Sequence, residues 1–363
     1  MGLTRKNKIE KQTFHLVWIF ILACILLYSV HVSYYYFALL LIPIFYLITY
    51  KVKIKTIIVG LIVIGVILLI YLLIKQVVVF SFITPTIDKI THFSIRDSVQ
   101  KFVQNEYDSK TATFINLVLF NIKKGAGYLI YHQMIDLSIV YLIVVSGFHI
   151  AILKRIVSYC FKRNLVVGNI VNILLITFYC YLLNFAVSVT RVLIMFVITL
   201  IFRKRLSNRF DILGMSGVFS LLLGPSSVFN VGFCMSYLCT AGIIYIYKLE
   251  ITNFFLEKIL INLVAVILSL PFVIEIQHQI SLWVVINSFA FSYLFAFIFV
   301  YFLLTFWVVW IAPFQRLIVN LVTFLIHTSW ELNVVIPIKN LPGIIEVLYF
   351  IVFYFLIRMI QFL

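Results

Sequence analysis

The sequence predicts an all-α fold: a polytopic bundle of helices embedded in a membrane, with about 11–12 spans. Hydrophobic residues make up 64% of the 363 positions and charged residues 11%, whereas soluble domains carry about 25% charged residues. Long charge-free runs such as Phe14–Val30, Ile57–Ile74 and Leu282–Ile311 have the roughly 17–25 residues that cross a bilayer as a helix. Backbone groups in lipid must pair within such a segment, so each span is helical. We expect no separate soluble domain.

The apolar runs place the spans in order along the chain, with boundaries uncertain by a few residues. The predicted spans lie near 14–30, 34–50, 56–79, 138–153, 165–186, 190–203, 211–224, 229–247, 259–279, 283–311, 316–330 and 343–361. The basic start of the chain leads directly into two apolar runs, which indicates retained anchors instead of a cleaved signal peptide.

The net charge of +16 is explained largely by topology. Basic residues cluster at the ends of spans that would face the cytoplasm if the N-terminus is cytoplasmic, as the positive-inside rule describes. These clusters are Arg5–Lys11, Lys51–Lys55, Lys154–Arg163, Arg203–Arg209, Lys248 with Lys258, Arg316 and Arg358. We therefore expect a multi-pass protein of the plasma membrane. The net charge does not indicate a substrate.

One segment, 81–113, is polar, with acidic and basic residues nearly balanced. Within it, Ile95, Val99, Phe102 and Val103 recur at helical spacing, which predicts an amphipathic helix on the outer surface or against the bundle. The segment divides the chain into an N-terminal three-span region, 1–80, the external segment, 81–113, and a membrane domain, 114–363.

Polar residues inside the span near 138–153 form the first candidate constellation. Gly147 lets another backbone approach the helix closely, and Ser146 and His149 are polar groups in an apolar run. Two interpretations stay open: a helix-packing glycine with hydrogen-bonded neighbours, or the lining of a water-filled path. A second metal ligand at suitable spacing is missing, so we expect no metal site.

The second constellation surrounds Arg191. Ser188 is a candidate cap for the helix that carries Arg191, and Asn184 precedes it. An arginine beside a helix N-terminus, where free N–H groups point outward, is a good anion site. Because a mid-membrane arginine costs roughly 2.5–3.5 kcal/mol on insertion scales, it should face protein or water. The alternative is an arginine that reaches to the membrane interface.

Two further segments carry small or polar residues. Gly232, Ser236 and Thr240 stand four apart and predict close helix packing. Pro271, which kinks its span, precedes Glu275 and His278, which stand one turn apart, and later Asn287. A proton relay, a cation site or a solvated outer cluster would each suit that pair.

Motifs of common enzymes, such as a phosphate-binding glycine loop, a metalloprotease helix or a nucleophile elbow, do not occur in the sequence. We therefore expect neither enzymatic activity nor a catalytic residue or a cofactor. The five cysteines show no metal-ligand spacing and are interpreted as small packing residues.

Taken in order, four segments resemble the ComEC family of competence proteins. Ser146-Gly147-Phe148-His149-Ile150 is similar to the family's SGLHV segment, and Ser188–Met195 to its SxxRAxxM helix. Val231–Tyr237 resembles VGFQLSF, and Leu270-Pro271-Phe272 with the later Ile-Ser-Leu and Ile286-Asn287 resembles the LP…ISL…aN segment. The likeness covers roughly 94–363. Phe148, Cys234 and Val192 replace the usual Leu, Gln and Ala, so a role that rests on that Gln does not transfer.

The resemblance implies a channel that passes one strand of external DNA through the plasma membrane in natural transformation. Arg191, with the adjoining helix N-terminus, would contact phosphates. The other candidates for the lining of the path are Ser146, His149, Asn184, Ser188, Glu275, His278 and Asn287. Larger members carry an external domain and a nuclease-like domain that this sequence does not show. Strand degradation would then come from a separate nuclease or not occur.

The expected partners are single-stranded DNA, the lipid bilayer, a DNA receptor, a separate nuclease and a cytoplasmic helicase. Two other functions remain open. The first is a secondary transporter of a small metabolite or ion, which would use Glu275 and His278 around broken helices. The second is an assembly partner without transport of its own.

Overall fold

The structure is a computed structural model that describes residues 15–49, 54–76, 95–122, 127–142, 147–183, 185–202, 208–223, 230–338 and 342–362. Within these ranges the chain forms fifteen α-helices, three short 3-10 helices and two strands of three residues. The prediction of an all-α polytopic bundle is confirmed. The predicted Ser146 and Asn184 lie outside the described residues.

The elements follow one another in this order. They are α1 (His15–His31), a 3-10 helix (Tyr34–Leu40), α2 (Leu41–Thr49), α3 (Ile54–Gln76), α4 (Ile95–Glu106), α5 (Ser109–Phe120), α6 (Gly127–Asp136), a 3-10 helix (Val140–Leu142), α7 (Gly147–Cys160), α8 (Leu165–Leu182), α9 (Val187–Ile201), α10 (Arg209–Leu223), α11 (Val231–Lys248), α12 (Phe254–Gln277), β1 (Gln279–Ser281), α13 (Val284–Thr305), a 3-10 helix (Val309–Ile311), α14 (Ala312–Glu331), β2 (Val335–Pro337) and α15 (Gly343–Phe362).

Six helical stretches of the described chain are long and apolar enough to cross a membrane. They are Ile54–Leu72, Leu165–Leu182, Val231–Lys248, Phe254–Gln277, Val284–Thr305 and Val309–Glu331, and four shorter apolar helices cover Val17–Val30, Tyr34–Thr49, Ser188–Ile201 and Gly343–Phe355. The expected span at 138–153 is not one helix. Leu137 and Ser138 form a turn in which Ser138 is left-handed (φ 57°), and α7 begins only at Gly147.

The chain divides into two compact units. The first contains Met1–Ser81, Ile194–Tyr245 and Asn340–Leu363, and the second contains Phe82–Leu193 and Ile246–Lys339. The predicted N-terminal region thus shares its unit with two later segments of the chain. The family motifs around Gly147 and Arg191 lie in the second unit.

An aromatic cluster packs the first unit. The ring of Phe20, on α1, lies 5.0 Å from the ring of Tyr237 and 6.1 Å from that of Phe233, both on α11. A Cβ atom at Gly217, on α10, would stand only 2.4 Å from Cε2 of Phe20. The missing side chain of Gly217 therefore makes room for the ring of Phe20. The hydroxyl groups of Ser220 and Tyr237 are hydrogen-bonded at 2.8 Å.

A buried carboxylate also lies in the first unit. Glu346, in the first turn of α15, accepts a hydrogen bond of 2.7 Å from the Tyr36 hydroxyl, and both side chains are buried. These residues are 310 positions apart, so the sequence could not pair them. The bond joins the 3-10 helix after α1 to the start of α15.

Polar contacts in the second unit converge on Asp136, at the end of α6. Its carboxylate accepts hydrogen bonds from Gln279 Nε2 at 2.8 Å and from Trp330 Nε1 at 2.7 Å. Its main-chain carbonyl accepts one from Asn333 Nδ2 at 2.8 Å. Strands β1 and β2 pair antiparallel, with Ile280 opposite Ile336. Asp136 therefore connects the end of α6 to β1 and to the segment before β2.

Helix α4 confirms the predicted amphipathic helix, and it packs against α5 with Val103 fully buried. Two hydrogen bonds from residues just after α4 link this part of the chain to the turn between α13 and α14 and to α14 itself. The Tyr107 hydroxyl donates to the carbonyl of Phe306 at 2.8 Å, and Lys110 Nζ donates to Asn320 Oδ1 at 2.9 Å. Residues 107–110 thus lie beside the turn that leads to Arg316. The sequence predicts segment 81–113 on the outer side of the membrane and Arg316 on the cytoplasmic side. The contacts of residues 107–110 make these two expectations incompatible.

Candidate functional site

The side chain of Arg191 packs against the first residue of α7. A Cβ atom at Gly147 would stand 2.7 Å from Nη2 of Arg191 and 3.0 Å from Cγ2 of Val192. Arg191 is buried, with 5% of its surface exposed. The close approach expected at Gly147 is therefore made by a guanidinium group, where the packing interpretation had expected another helix.

The turn between α8 and α9 sets the position of Arg191. Phe185 is left-handed (φ 53°), and its N–H donates to the Cys180 carbonyl at 2.7 Å, just after the end of α8. The carbonyl of Ala186 then accepts from the N–H groups of residues 189 and 190. Helix α9 thus begins at Val187, and Ser188 lies inside its first turn. The expectation that Ser188 caps the helix is corrected, because the chain turns two residues earlier.

His149 lies one half-turn beyond Gly147 and points into the protein. It is 5% exposed, and its ring centroid lies 4.6 Å from that of Phe299 on α13. Tyr179, on α8, approaches the same Phe299 ring at 5.9 Å and donates its hydroxyl to the Leu119 carbonyl at 2.8 Å. Helices α7, α8 and α13 therefore share an aromatic contact.

The electrostatics of the site favour an anion. The first N–H groups of α7 have no partner within their helix and carry a partial positive charge, and the guanidinium of Arg191 adds a full one. Residues 137–210, which include α7, α8 and α9, contain no Asp or Glu. A phosphate at this place would meet two positive groups, and such sites are a common way for helices to bind phosphate.

A polar network that the sequence interpretation missed lies elsewhere in the second unit. Ser288 is fully buried on α13, and its Oγ is hydrogen-bonded to the Tyr141 hydroxyl and to Asn262 Oδ1, the latter at 2.9 Å. The adjacent Asn287 is half-buried, and its Nδ2 is shielded from solvent without a hydrogen-bond partner among the described residues. The predicted Asn287 thus adjoins a network whose members are up to 147 positions apart.

Comparison with known proteins identifies the family. The competence protein family matches residues 129–363, which is more than half of the chain. The chain belongs to the competence protein family. Gly147, His149, Arg191 and Asn287 all lie within the matched residues.

Relatives of this competence family member include two curated mycoplasma proteins of uncharacterized function. The uncharacterized MG316 homolog of Mycoplasma pneumoniae is 25% identical over 187 residues, 51% of this chain and 50% of that protein. Uncharacterized protein MG316 of Mycoplasma genitalium is 23% identical over 217 residues, 59% of this chain and 58% of that protein. The chain thus spans about half the length of the curated relatives it matches. No solved structure matches the chain.

The predicted cluster near the end of α12 is exposed in this competence family member. Glu275 and His278 are both exposed, and His278 ends the helix in a left-handed conformation (φ 54°). Pro271 is buried, and α12 continues through it to Gln277. The exposed pair therefore resembles the solvated cluster, one of the three interpretations left open.

The expected packing stripe on α11 stays a prediction. Gly232 is exposed, and the nearest atom to a Cβ built there is Asn230 Oδ1 at 3.1 Å, the group that accepts from the Gly232 N–H. Ser236 is half-buried, and the buried face of α11 carries Phe233 and Tyr237 instead. Among the described glycines of this unit, Gly217 admits the ring of Phe20 from α1.

Proposed function

We propose that the chain provides a path for single-stranded DNA across the bacterial plasma membrane in natural transformation. Membership of the competence protein family supports a role in DNA uptake. The observation that carries the strand path is the buried guanidinium of Arg191 against the N-terminus of α7. Each nucleotide of a strand carries a phosphate, and both positive groups suit it.

A path must bind its cargo weakly enough to release it. One buried arginine and one helix terminus offer a phosphate a temporary site, after which the next phosphate takes its place.

The rest of the proposal concerns partners and orientation. A receptor outside the cell would deliver the DNA, a separate nuclease would degrade the second strand, and a cytoplasmic helicase would pull the strand inward. The N-terminus would lie in the cytoplasm, as the distribution of basic residues favours. The transporter alternative depends on Glu275 and His278, and their exposure gives it no enclosed site.

The test is the replacement Arg191→Gln in cells that carry this chain as their sole copy. Gln keeps a polar, hydrogen-bonding side chain but removes the charge. We therefore expect internalised, nuclease-resistant labelled DNA to fall about tenfold or more, which corresponds to about 1.4 kcal/mol of lost interaction. Surface-bound DNA and protein level should stay normal.

The matched control is Arg155→Gln, which removes an exposed arginine from α7. We expect uptake to stay at the level of the parent. If Arg191→Gln also left uptake unchanged, Arg191 would have no role in passage of the strand.

A further inference from the structure

Helix α14 has three distinct faces. The buried face carries Gln315, Val319, Val322 and Ile326. A second face is apolar and exposed, with Phe314, Leu317 and Leu321 each more than half exposed. The third face, which we call the polar lane, is formed by Arg316, Asn320, Thr323, His327 and Glu331.

The spacing within the polar lane keeps its members together. Steps of four, three, four and four residues place all five on one side of a helix with 3.6 residues per turn. Arg316, Asn320, His327 and Glu331 are exposed, and Thr323 is partly exposed. The side chains of His327 and Glu331 are 52% and 59% exposed. None of these five residues belongs to the buried face.

Two tryptophans indicate how α14 sits in the bilayer. Trp310 is 83% exposed just before α14, and Trp330 is 38% exposed near its end. Twenty residues at 1.5 Å each separate them by about 30 Å, the thickness of the hydrocarbon core, and tryptophan prefers the two interfaces of a membrane. The polar lane extends for about 22 Å from Arg316 to Glu331, so its middle lies at the depth of the lipid chains and its two ends lie closer to the interfaces.

Polar groups of α5 and α6 border the lane. Lys110 Nζ donates to Asn320 Oδ1 at 2.9 Å, and Gln133 Nε2 lies 3.3 Å from His327 Nδ1. His327 Nε2 lies 3.4 Å from Glu331 Oε1. The lane is therefore one wall of a wider polar strip that includes Lys110 and Gln133.

Contact with lipid chains is energetically unfavourable for such a polar strip. Ionisable residues within spans cost several kcal/mol when they face hydrocarbon, and they usually face water or protein. A second copy of the chain, related by a two-fold axis along the membrane normal, would place each Arg316 at the depth of its counterpart, where like charges repel. Contact with water is therefore more favourable for the strip than contact with lipid or with a second copy of the chain.

We propose that the polar lane borders a water-filled path that a single strand of DNA occupies during uptake. This inference rests on the proposed function, but it concerns residues distinct from Arg191. Lys110 and Arg316 attract phosphates at one end, and the amide of Asn320, the hydroxyl of Thr323 and the imidazole of His327 offer hydrogen bonds without reading sequence. Charge changes from acidic at Glu331 to basic at Arg316, which draws phosphates toward Arg316.

The first experiment measures hydration. In a chain whose five native cysteines are replaced by serine, Asn320→Cys and Thr323→Cys are compared with Leu317→Cys and Leu321→Cys on the apolar face. A thiolate, which forms far more readily in water than in lipid, attacks the sulfur of a charged methanethiosulfonate reagent, forms a disulfide and expels methanesulfinate. The lane positions should therefore react about tenfold faster or more. If the cysteine-free chain is not produced, the same rates are measured above the background of the parent. Equal rates on the two faces would overturn the proposal.

The second experiment measures passage of DNA. A bulky thiol adduct on Asn320→Cys should reduce internalised labelled DNA strongly, whereas the same adduct on Leu321→Cys should not. Loss of uptake with Arg191→Gln but not with the Asn320 adduct would overturn the lane and leave the proposed function standing. Loss of uptake with the Asn320 adduct but not with Arg191→Gln would support the lane and would show that passage of DNA does not need Arg191. No effect of either change would overturn both.

Discussion

The Nη2 atom of Arg191 lies 2.7 Å from the place that a Cβ atom would take at Gly147. Real Cβ atoms are not found so close to another heavy atom, so any other residue at Gly147 must displace the guanidinium. The two residues are 44 positions apart in the sequence, and both occur in segments that resemble ComEC motifs. The contact gives a physical reason why a glycine and an arginine should occur together in this unit.

The replacement Gly147→Ala should therefore act through Arg191. One methyl group suffices to move the guanidinium away from the N-terminus of α7, and we expect internalised DNA to fall about tenfold, equivalent to about 1.4 kcal/mol. Uptake of labelled DNA and the amount of protein in the membrane are measured together.

The control for this change is Gly65→Ala on α3, where no other described part of the chain comes within 4 Å of the added Cβ. That variant should take up DNA as the parent does. Normal uptake by Gly147→Ala would show that Arg191 keeps its function in a second position, which contradicts the proposed site.

The contact between Gly217 and Phe20 predicts a loss of stability. A Cβ atom at Gly217 would stand 2.4–2.6 Å from three ring atoms of Phe20, and overpacking of this kind costs typically about 1–3 kcal/mol. Gly217→Ala should lower the midpoint of thermal unfolding in detergent. Adding Phe20→Leu, which removes the ring, should restore part of the loss, whereas a double variant no better than the single one would locate the cause elsewhere.

Much of the fold could be predicted from the sequence, because lipid imposes long apolar runs. The charge-poor stretches located the helices from Leu165–Leu182 to Gly343–Phe362 within a few residues. Breaks were harder to predict. The expected span 283–311 ends as a helix at Thr305, since Phe306, Trp307 and Val308 are as apolar as their neighbours and carry no turn signal.

The site could be predicted only in part. Gly147, His149 and Arg191 stood out as glycine, histidine and arginine in apolar runs, but composition cannot show that Arg191 packs on Gly147. Pairs such as Tyr36 with Glu346 are joined by the fold alone. The polar lane is periodic in the sequence, yet only the structure shows that this face is exposed while Val319 and Val322 are buried.

Asp108 predicts a pH-dependent contribution to stability. It caps α5, with Oδ2 accepting from the Thr111 N–H at 3.3 Å. Burial alone would raise the pKa of this carboxyl, but the hydrogen bonds from Thr111 and the charge of Arg316 hold the pKa below its ordinary value of 3.8. Because the pKa is lower in the folded state, the stabilisation is present above pH 3.8 and is lost as the pH falls through the folded-state pKa.

The measurement compares Asp108→Ala and Asp108→Asn with the parent. At neutral pH, Asp108→Ala should lose about 0.5–2 kcal/mol of unfolding free energy, and Asp108→Asn, which still caps a helix, should lose less. Thermal unfolding in detergent across acidic pH should show the parent approaching Asp108→Ala as the carboxyl becomes protonated. A constant difference at every pH would contradict a role for the charged form.

The hydrogen bond from Tyr107 to the Phe306 carbonyl predicts that both residues face the same side of the membrane. Cysteine at the exposed Gln104 and cysteine at the exposed Trp310 should then react with an impermeant maleimide in the same preparation, either intact cells or inverted vesicles. Arg96 and Lys101 lie on α4, just before Tyr107, and the positive-inside rule counts such residues, so we expect reaction in inverted vesicles. Reaction of the two cysteines from opposite sides would show that α4 and the α13–α14 turn are separated by the membrane, which is incompatible with the contact.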